Sequence, residues 1–155
     1  MESVLIDFAS QEDLPALADL LKELFTAESD FQPDREKQLE GLNLILENAA
    51  LGRLFVLRVN GEVAGMANAL ITVSTAEGGR VVLLEDVIVR GGLRGRGLGR
   101  RLVQHVLDWA QSEGAKRVTL LADADNAAAL AFYGRLGFVP SAMRVLRRAI
   151  GKEFF

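Results

Sequence analysis

The 155-residue chain contains no cysteine, one histidine, one tyrosine, one tryptophan and three prolines. Without cysteine there are no disulfides, thiol nucleophiles or thiolate metal sites, and a lone histidine rules out a multi-histidine metal centre. No metal site is expected. Chemistry must come from carboxylates, hydroxyls, amides or a bound cofactor. Long apolar runs are also missing: the most hydrophobic stretch, "VVLLEDVIV", is broken by two carboxylates and falls well short of the roughly 20 residues of a membrane span. The opening "MESVLIDFAS" has no basic segment followed by an apolar one, so the expectation is a cytoplasmic protein without a membrane partner. A formal net charge of −3 sets the global field against nucleic-acid phosphates, so arginines must act locally and no nucleic-acid partner is expected.

A chain of this length suits one domain, residues 1–155, burying roughly 70% of its unfolded surface. "VLIDFA" reads as a strand. "SQEDLPALADLLKELF" reads as a helix through Leu14, Leu17, Leu20, Leu21 and Leu24, with Ser10 and Asp13 at capping-box spacing. A second helix is predicted from Glu36 to Asn48. Asn60-Gly61 between "LFVLRV" and "EVAGMANALITV" is a strong hairpin signal, because both residues tolerate the positive φ of a type I′ turn. "VVLLEDVIV" is apolar on both faces, as a central strand should be. A helix from Gly97 to Glu113, a strand "RVTLLAD", a short helix "NAAALAFYGRL" and a last strand "MRVLRRAI" follow. This order predicts an α/β chain with a mixed sheet, hairpins near its start and a βα crossover near its centre.

Between the central strand and its helix lies "RGGLRGRGLGRR", residues 90–101. A loop that leaves a strand end and opens a helix offers unpaired N–H groups and the positive end of the helix dipole, which together hold an anion. The Walker pattern is excluded because no Lys-Ser or Lys-Thr pair exists in the chain. The dinucleotide pattern begins at Gly95 and Gly97 but meets Arg100 where its third glycine belongs; Asp123 would stand near the place of its ribose-binding acid. A third pattern, Arg/Gln-x-x-Gly-x-Gly/Ala, is met by Arg94, Gly97 and Gly99.

That motif and its setting, residues 81–139 from "LEDVIV" to "FYGRLGF", resemble the GNAT superfamily of N-acetyltransferases. The resemblance implies a central, mostly antiparallel mixed sheet of about six to seven strands flanked by about four helices. It also implies acetyl-CoA as cofactor. The backbone at Val87, Ile88 and Val89 would pair with the pantetheine arm. The N–H groups of Arg94, Gly95, Arg96, Gly97, Leu98, Gly99 and Arg100 would hold the pyrophosphate. Asn126 would bond the pantetheine or cap the short helix, and Tyr133 would stand beside the sulfur as general acid. The implied activity is acetyl transfer to a primary amine of a small amine, an amino acid or a protein, by direct attack in a ternary complex.

Such transfer needs an amine freed of its proton, a polarised carbonyl and a proton for the leaving thiolate. The N–H of Val87 is a candidate oxyanion donor. Glu85 and Asp86 are candidate bases, because burial mid-strand raises a carboxylate's pKa. Strand alternation puts them on opposite faces, so at most one should enter the cleft; the family's acidic position favours Glu85, with ordered water as a further route. Both carboxylates read equally well as structural ion pairs, Tyr133 as a packed ring and Asn126 as a cap. His105 reads as a packing residue. Arg144, Arg147 and Arg148 read as a solvated face or edge guard. Phe25, Glu28, Phe31, Asp34, Thr72 and the C-terminal "GKEFF" are expected to line the acceptor pocket, with Glu28, Asp30 and Asp34 placed to attract an ammonium group. A non-catalytic acyl-CoA-binding module and an Arg/Gly-loop nucleic-acid binder are the competing functions, and a homodimer through the last strand is left open.

Overall fold

A computed structural model describes residues 2–27 and 33–151. The chain divides into two compact units, residues 1–121 and 122–155. In the first, strand β1 (Val4–Phe8) is followed by helices α1 (Leu14–Ala27) and α2 (Arg35–Glu47). Strands β2 (Gly52–Val59), β3 (Glu62–Ser74) and β4 (Gly79–Val89), helix α3 (Leu98–Ser112) and strand β5 (Val118–Leu120) complete it. The strands form one sheet in the order β1-β2-β3-β4-β5, antiparallel except for the parallel β4–β5 pair.

Local chemistry sets the joints. Asn60 and Gly61 take φ of 51° and 84°, closing the β2–β3 hairpin over the pair Val59↔Glu62 as a primed turn requires. Ahead of α1 the Asp13 carboxylate accepts the Ser10 N–H at 2.9 Å and the Arg58 guanidinium at 2.7 Å. Burial pushes the Asp13 pKa up, but the Ser10 N–H and Arg58 outweigh it and hold it below the ordinary aspartate value.

Both faces of the sheet are covered. Leu54 and Val56 of β2 pack with Leu17, Leu21 and Leu42 of α1 and α2. Phe55, between them in sequence, turns to the other face and meets the rings of His105 and Trp109 on α3 edge-on, at 5.7 and 5.3 Å. His105, exposed on its outer side, thus packs its ring against Phe55, in line with its reading as a packing residue. Each fully buried leucine, valine or phenylalanine here contributes about 1.5–3 kcal/mol. Phe55, fully buried, should cost about 3–5 kcal/mol when replaced by alanine; a urea-unfolding loss under about 1 kcal/mol would contradict its place in the core.

In the second unit, α4 (Ala127–Arg135) is capped by Asn126, whose side chain accepts the Ala129 N–H at 3.1 Å. Gly137 follows α4 at φ 94°. The segment "MRVLRRAI" differs from expectation. Residues 143–150 join no ladder, so the sheet has five strands rather than six to seven. A strand forms only where a neighbour takes up its backbone groups. Here Met143, Leu146 and Ile150 remain exposed. Among the described residues no helix is long and apolar enough to cross a membrane.

Candidate active site

Strand β4 loses its parallel neighbour early. Pairing with β5 covers only Val82↔Val118, Leu83↔Thr119 and Leu84↔Leu120, so beyond Leu84 the backbone of β4 on that side, through Val87, Ile88 and Val89, has no ladder partner. The chain then passes through a short turn, Gly91–Leu93, into the loop that opens α3. Gly95 and Gly97 have φ of 84° and 76°, which L side chains adopt only with strain. Gly97 is the N-cap of α3, and the first intrahelical bond runs from Arg101 N–H to the Gly97 carbonyl. The N–H groups of Leu98, Gly99 and Arg100 therefore have no helical acceptor. The first turn carries no carboxylate, and Arg100 and Arg101 lie there, the wrong sign for a helix N-terminus. An anion at this position corrects the mismatch.

Two of the arginines anchor the loop. Arg94 donates to the Val89 carbonyl at 2.9 Å and to Glu23 at 2.8 Å, and Arg96 pairs with Glu2 at 2.6 Å. These pairs are exposed and add little stability. They fix the path of the loop.

On β4 the register passes from Asn68↔Glu85 to Met66↔Ile88, so Ala67 opposes both Asp86 and Val87. This is a β-bulge. Asp86 takes φ 52°. The bulge breaks the alternation that would have sent Glu85 and Asp86 to opposite faces, and both line one cavity of about 560 Å³ with Leu21, Phe25, Gln38 and Asn68. Asp86 accepts a 2.5 Å hydrogen bond from Asn68 Nδ2. Burial pushes its pKa up to about 6; the Asn68 bond opposes the rise and the Glu85 charge adds to it.

Of the expected pocket residues, Phe25 and Asp34 line this cavity and Thr72 does not; Thr72 pairs with Val81, toward the other end of β3. Glu28, Asp30, Phe31 and residues 152–155 lie outside the described residues. Asn68, Gln38, Lys37 and Gly41 also line the cavity and were not singled out from the sequence, although a polar Asn68 inside the apolar run "GMANALI" was a usable signal. In the second unit, Tyr133 packs edge-on against Phe132 and Phe138 at 5.0 and 5.6 Å. Burial pushes its phenol up to about 12, so it keeps its proton at neutral pH.

The family model described as "Acetyltransferase (GNAT) family" matches residues 14–138. The chain belongs to this family. Over 110 residues it is 32% identical to the uncharacterized N-acetyltransferase YobR of Bacillus subtilis, a match covering 71% of the chain and 41% of that relative. Glucosamine 6-phosphate N-acetyltransferase of Trypanosoma brucei is 33% identical over 87 residues, covering 56% of the chain and 57% of that protein. The chain thus spans about half the length of these curated relatives. Its fold superimposes on a predicted acetyltransferase of Clostridium acetobutylicum, solved with acetyl-CoA, with a TM-score of 0.75 and 15% identity over 96% of each chain. The mixed α/β fold is therefore the GNAT fold, with five strands and four α-helices among the described residues.

Proposed function

We propose that this GNAT chain moves an acetyl group from acetyl-CoA to a primary amine, the amine attacking the thioester directly in a ternary complex. One observation carries the reading: an unpaired stretch of β4 leads into a glycine-built helix N-terminus with free N–H groups, while the same stretch carries two carboxylates into a cavity beside it. The family model runs through both compact units, which supports their working as one domain.

The residues suit the cofactor. The N–H groups from Arg94 to Arg100 receive the pyrophosphate, and the free backbone at Val87, Ile88 and Val89 receives the amide-bearing arm. When bound, acetyl-CoA supplies an activated acyl group on a thiolate leaving group. Asp86, ionised above pH about 6, takes the proton of the amine, and Asn68 orients it. Glu85, in the same cavity, adds negative charge that draws the ammonium form in. The Val87 N–H serves as oxyanion donor. By resemblance to the family, Asn126 assists the cofactor arm and Tyr133, protonated at neutral pH, gives a hydrogen bond to the departing sulfur.

CoA release should require both acetyl-CoA and an amine. Acetyl-CoA binding without release for any member of a broad amine panel would favour a non-catalytic module. Tyr133→Phe should lower kcat by about 10- to 100-fold with acetyl-CoA affinity nearly unchanged, and unaltered turnover would remove Tyr133 from the reaction.

A further inference from the structure

The cavity between α2 and the β4 bulge contains two polar groups that the described residues do not satisfy. Asn68 is 4% exposed and Gln38 is 7% exposed, and both line the cavity. The Asn68 Nδ2 bond to Asp86 fixes the amide so that Oδ1 is its free end. Among the described residues neither Asn68 Oδ1 nor Gln38 Nε2 has a hydrogen-bond partner. A buried polar group left unpaired is costly, so a ligand that pairs with it gains. The pair defines complementary needs: a donor for Asn68 Oδ1, and an acceptor for Gln38 Nε2.

Charge narrows the ligand further. Among the described residues the titratable groups on the cavity wall are Asp34, Lys37, Glu85 and Asp86, three carboxylates against one ammonium. The carboxylates of Glu85 and Asp86 stand on β4 with Asn68 opposite, and this acceptor-only cluster suits an ammonium nitrogen. At the start of α2, Asp34 and Lys37 offset each other, and Asp34 also caps the helix by accepting the Lys37 N–H at 3.2 Å. Gln38 therefore offers its donor in locally neutral surroundings, which suits an uncharged carbonyl or hydroxyl better than an anion.

The wall between these polar ends is apolar and has a gap. Gly41 lies inside α2 and lines the cavity, although glycine within a helix is less stable than alanine. A Cβ at Gly41 would meet nothing within 4 Å among the described residues. The space it leaves, beside Leu21, Phe25, Leu42 and Ile45, is room for an apolar group.

We propose that the acceptor is an apolar α-amino amide, the chemistry of a small amino amide or of a peptide N-terminus with an apolar first residue: its ammonium on Asn68, Asp86 and Glu85, its carbonyl on Gln38, its side chain against the apolar wall at Gly41. The cavity rejects amines that carry a carboxylate or phosphate. This rests on the acetyl-transfer reading and names the substrate class of the same site.

The test compares kcat/KM for L-leucinamide, L-leucine, 3-methylbutylamine, leucyl-glycinamide and glucosamine 6-phosphate, followed by CoA release from the full chain. Leucinamide should exceed leucine and glucosamine 6-phosphate by about tenfold or more, because each of these brings an anion into a net-negative cavity. It should exceed 3-methylbutylamine, which lacks the carbonyl, by about 3- to 10-fold, the worth of one neutral hydrogen bond. In Gln38→Leu that last preference should vanish. Gly41→Leu should block leucinamide while folding and acetyl-CoA binding persist. Comparable use of leucyl-glycinamide assigns the chemistry to a peptide N-terminus, and exclusive use of leucinamide to a free amino amide. Equal use of leucine or the sugar phosphate, a carbonyl preference that survives Gln38→Leu, or no turnover of leucinamide by a chain that binds acetyl-CoA would each overturn the inference. Failure of acetyl-CoA to bind at all would instead overturn the acetyl-transfer reading, and the two failures are distinguished by titrating acetyl-CoA alone.

Discussion

Asp86→Asn is expected to lower kcat/KM by about 10²- to 10⁴-fold at pH 7.5, the usual worth of a general base, and to leave the chain more stable than before. Both effects have one source. Burial holds the Asp86 pKa near 6 against an ordinary 3.8, so the folded state binds this proton more tightly than the unfolded chain does. Wild-type stability therefore falls as pH rises from about 4 through about 6 and stays lower above that window. Each tenfold gain in proton affinity is worth about 1.36 kcal/mol, so the ionised carboxylate costs on the order of 3 kcal/mol at pH 7.5. Asparagine keeps the shape, tolerates the left-handed φ of 52° and can still accept from Asn68 Nδ2. Urea unfolding at pH 4.5 and 7.5 should show the pH dependence flattened in the variant. The acidic limb of kcat/KM near pH 6 should disappear with it. If Glu85→Gln removes that limb and Asp86→Asn leaves it, Glu85 is the base, as the family position suggested.

Gly97→Val should reduce acetyl-CoA affinity by about a hundredfold or more, close to 3 kcal/mol, with the fold retained. Gly97 has open space around its Cβ position but a φ of 76°, which costs a β-branched residue about 1–3 kcal/mol. Relieving that strain means turning the loop, and the N–H groups ahead of α3 then no longer converge. Arg96→Ala should lose far less, because Arg96 is engaged with Glu2 at the surface and the proposed cradle uses backbone N–H groups. Calorimetric titration of both variants decides the matter: normal affinity in Gly97→Val would refute the cradle.

The parts of the molecule governed by neighbouring residues were legible in the sequence. Asn60-Gly61 dictates its turn, Asn126 caps α4, and the glycines of residues 91–99 mark the loop that opens α3 before any fold is known. The site's base was harder to place. Strand periodicity assigns Glu85 and Asp86 to opposite faces, and only the register between Met66 and Ile88 shows that a bulge turns Asp86 into the cavity. Bulges arise from the pairing of two strands, and one strand's pattern does not encode them. Gln38 and Asn68 meet the same cavity from α2 and β3, a juxtaposition with no local signal beyond a polar residue in an apolar run. The "MRVLRRAI" segment shows the converse error: its alternation suits a strand, but a strand also needs a partner.

The most direct test of the account is thermal unfolding of the full chain with acetyl-CoA, NADH or a short single-stranded DNA, each supplied alone. At a hundred times its Kd a ligand adds about 2.7 kcal/mol, a rise of roughly 5–10 °C for a chain of this size. The account predicts that rise with acetyl-CoA and none with the other two. No shift with acetyl-CoA, together with one from NADH or DNA, would contradict it.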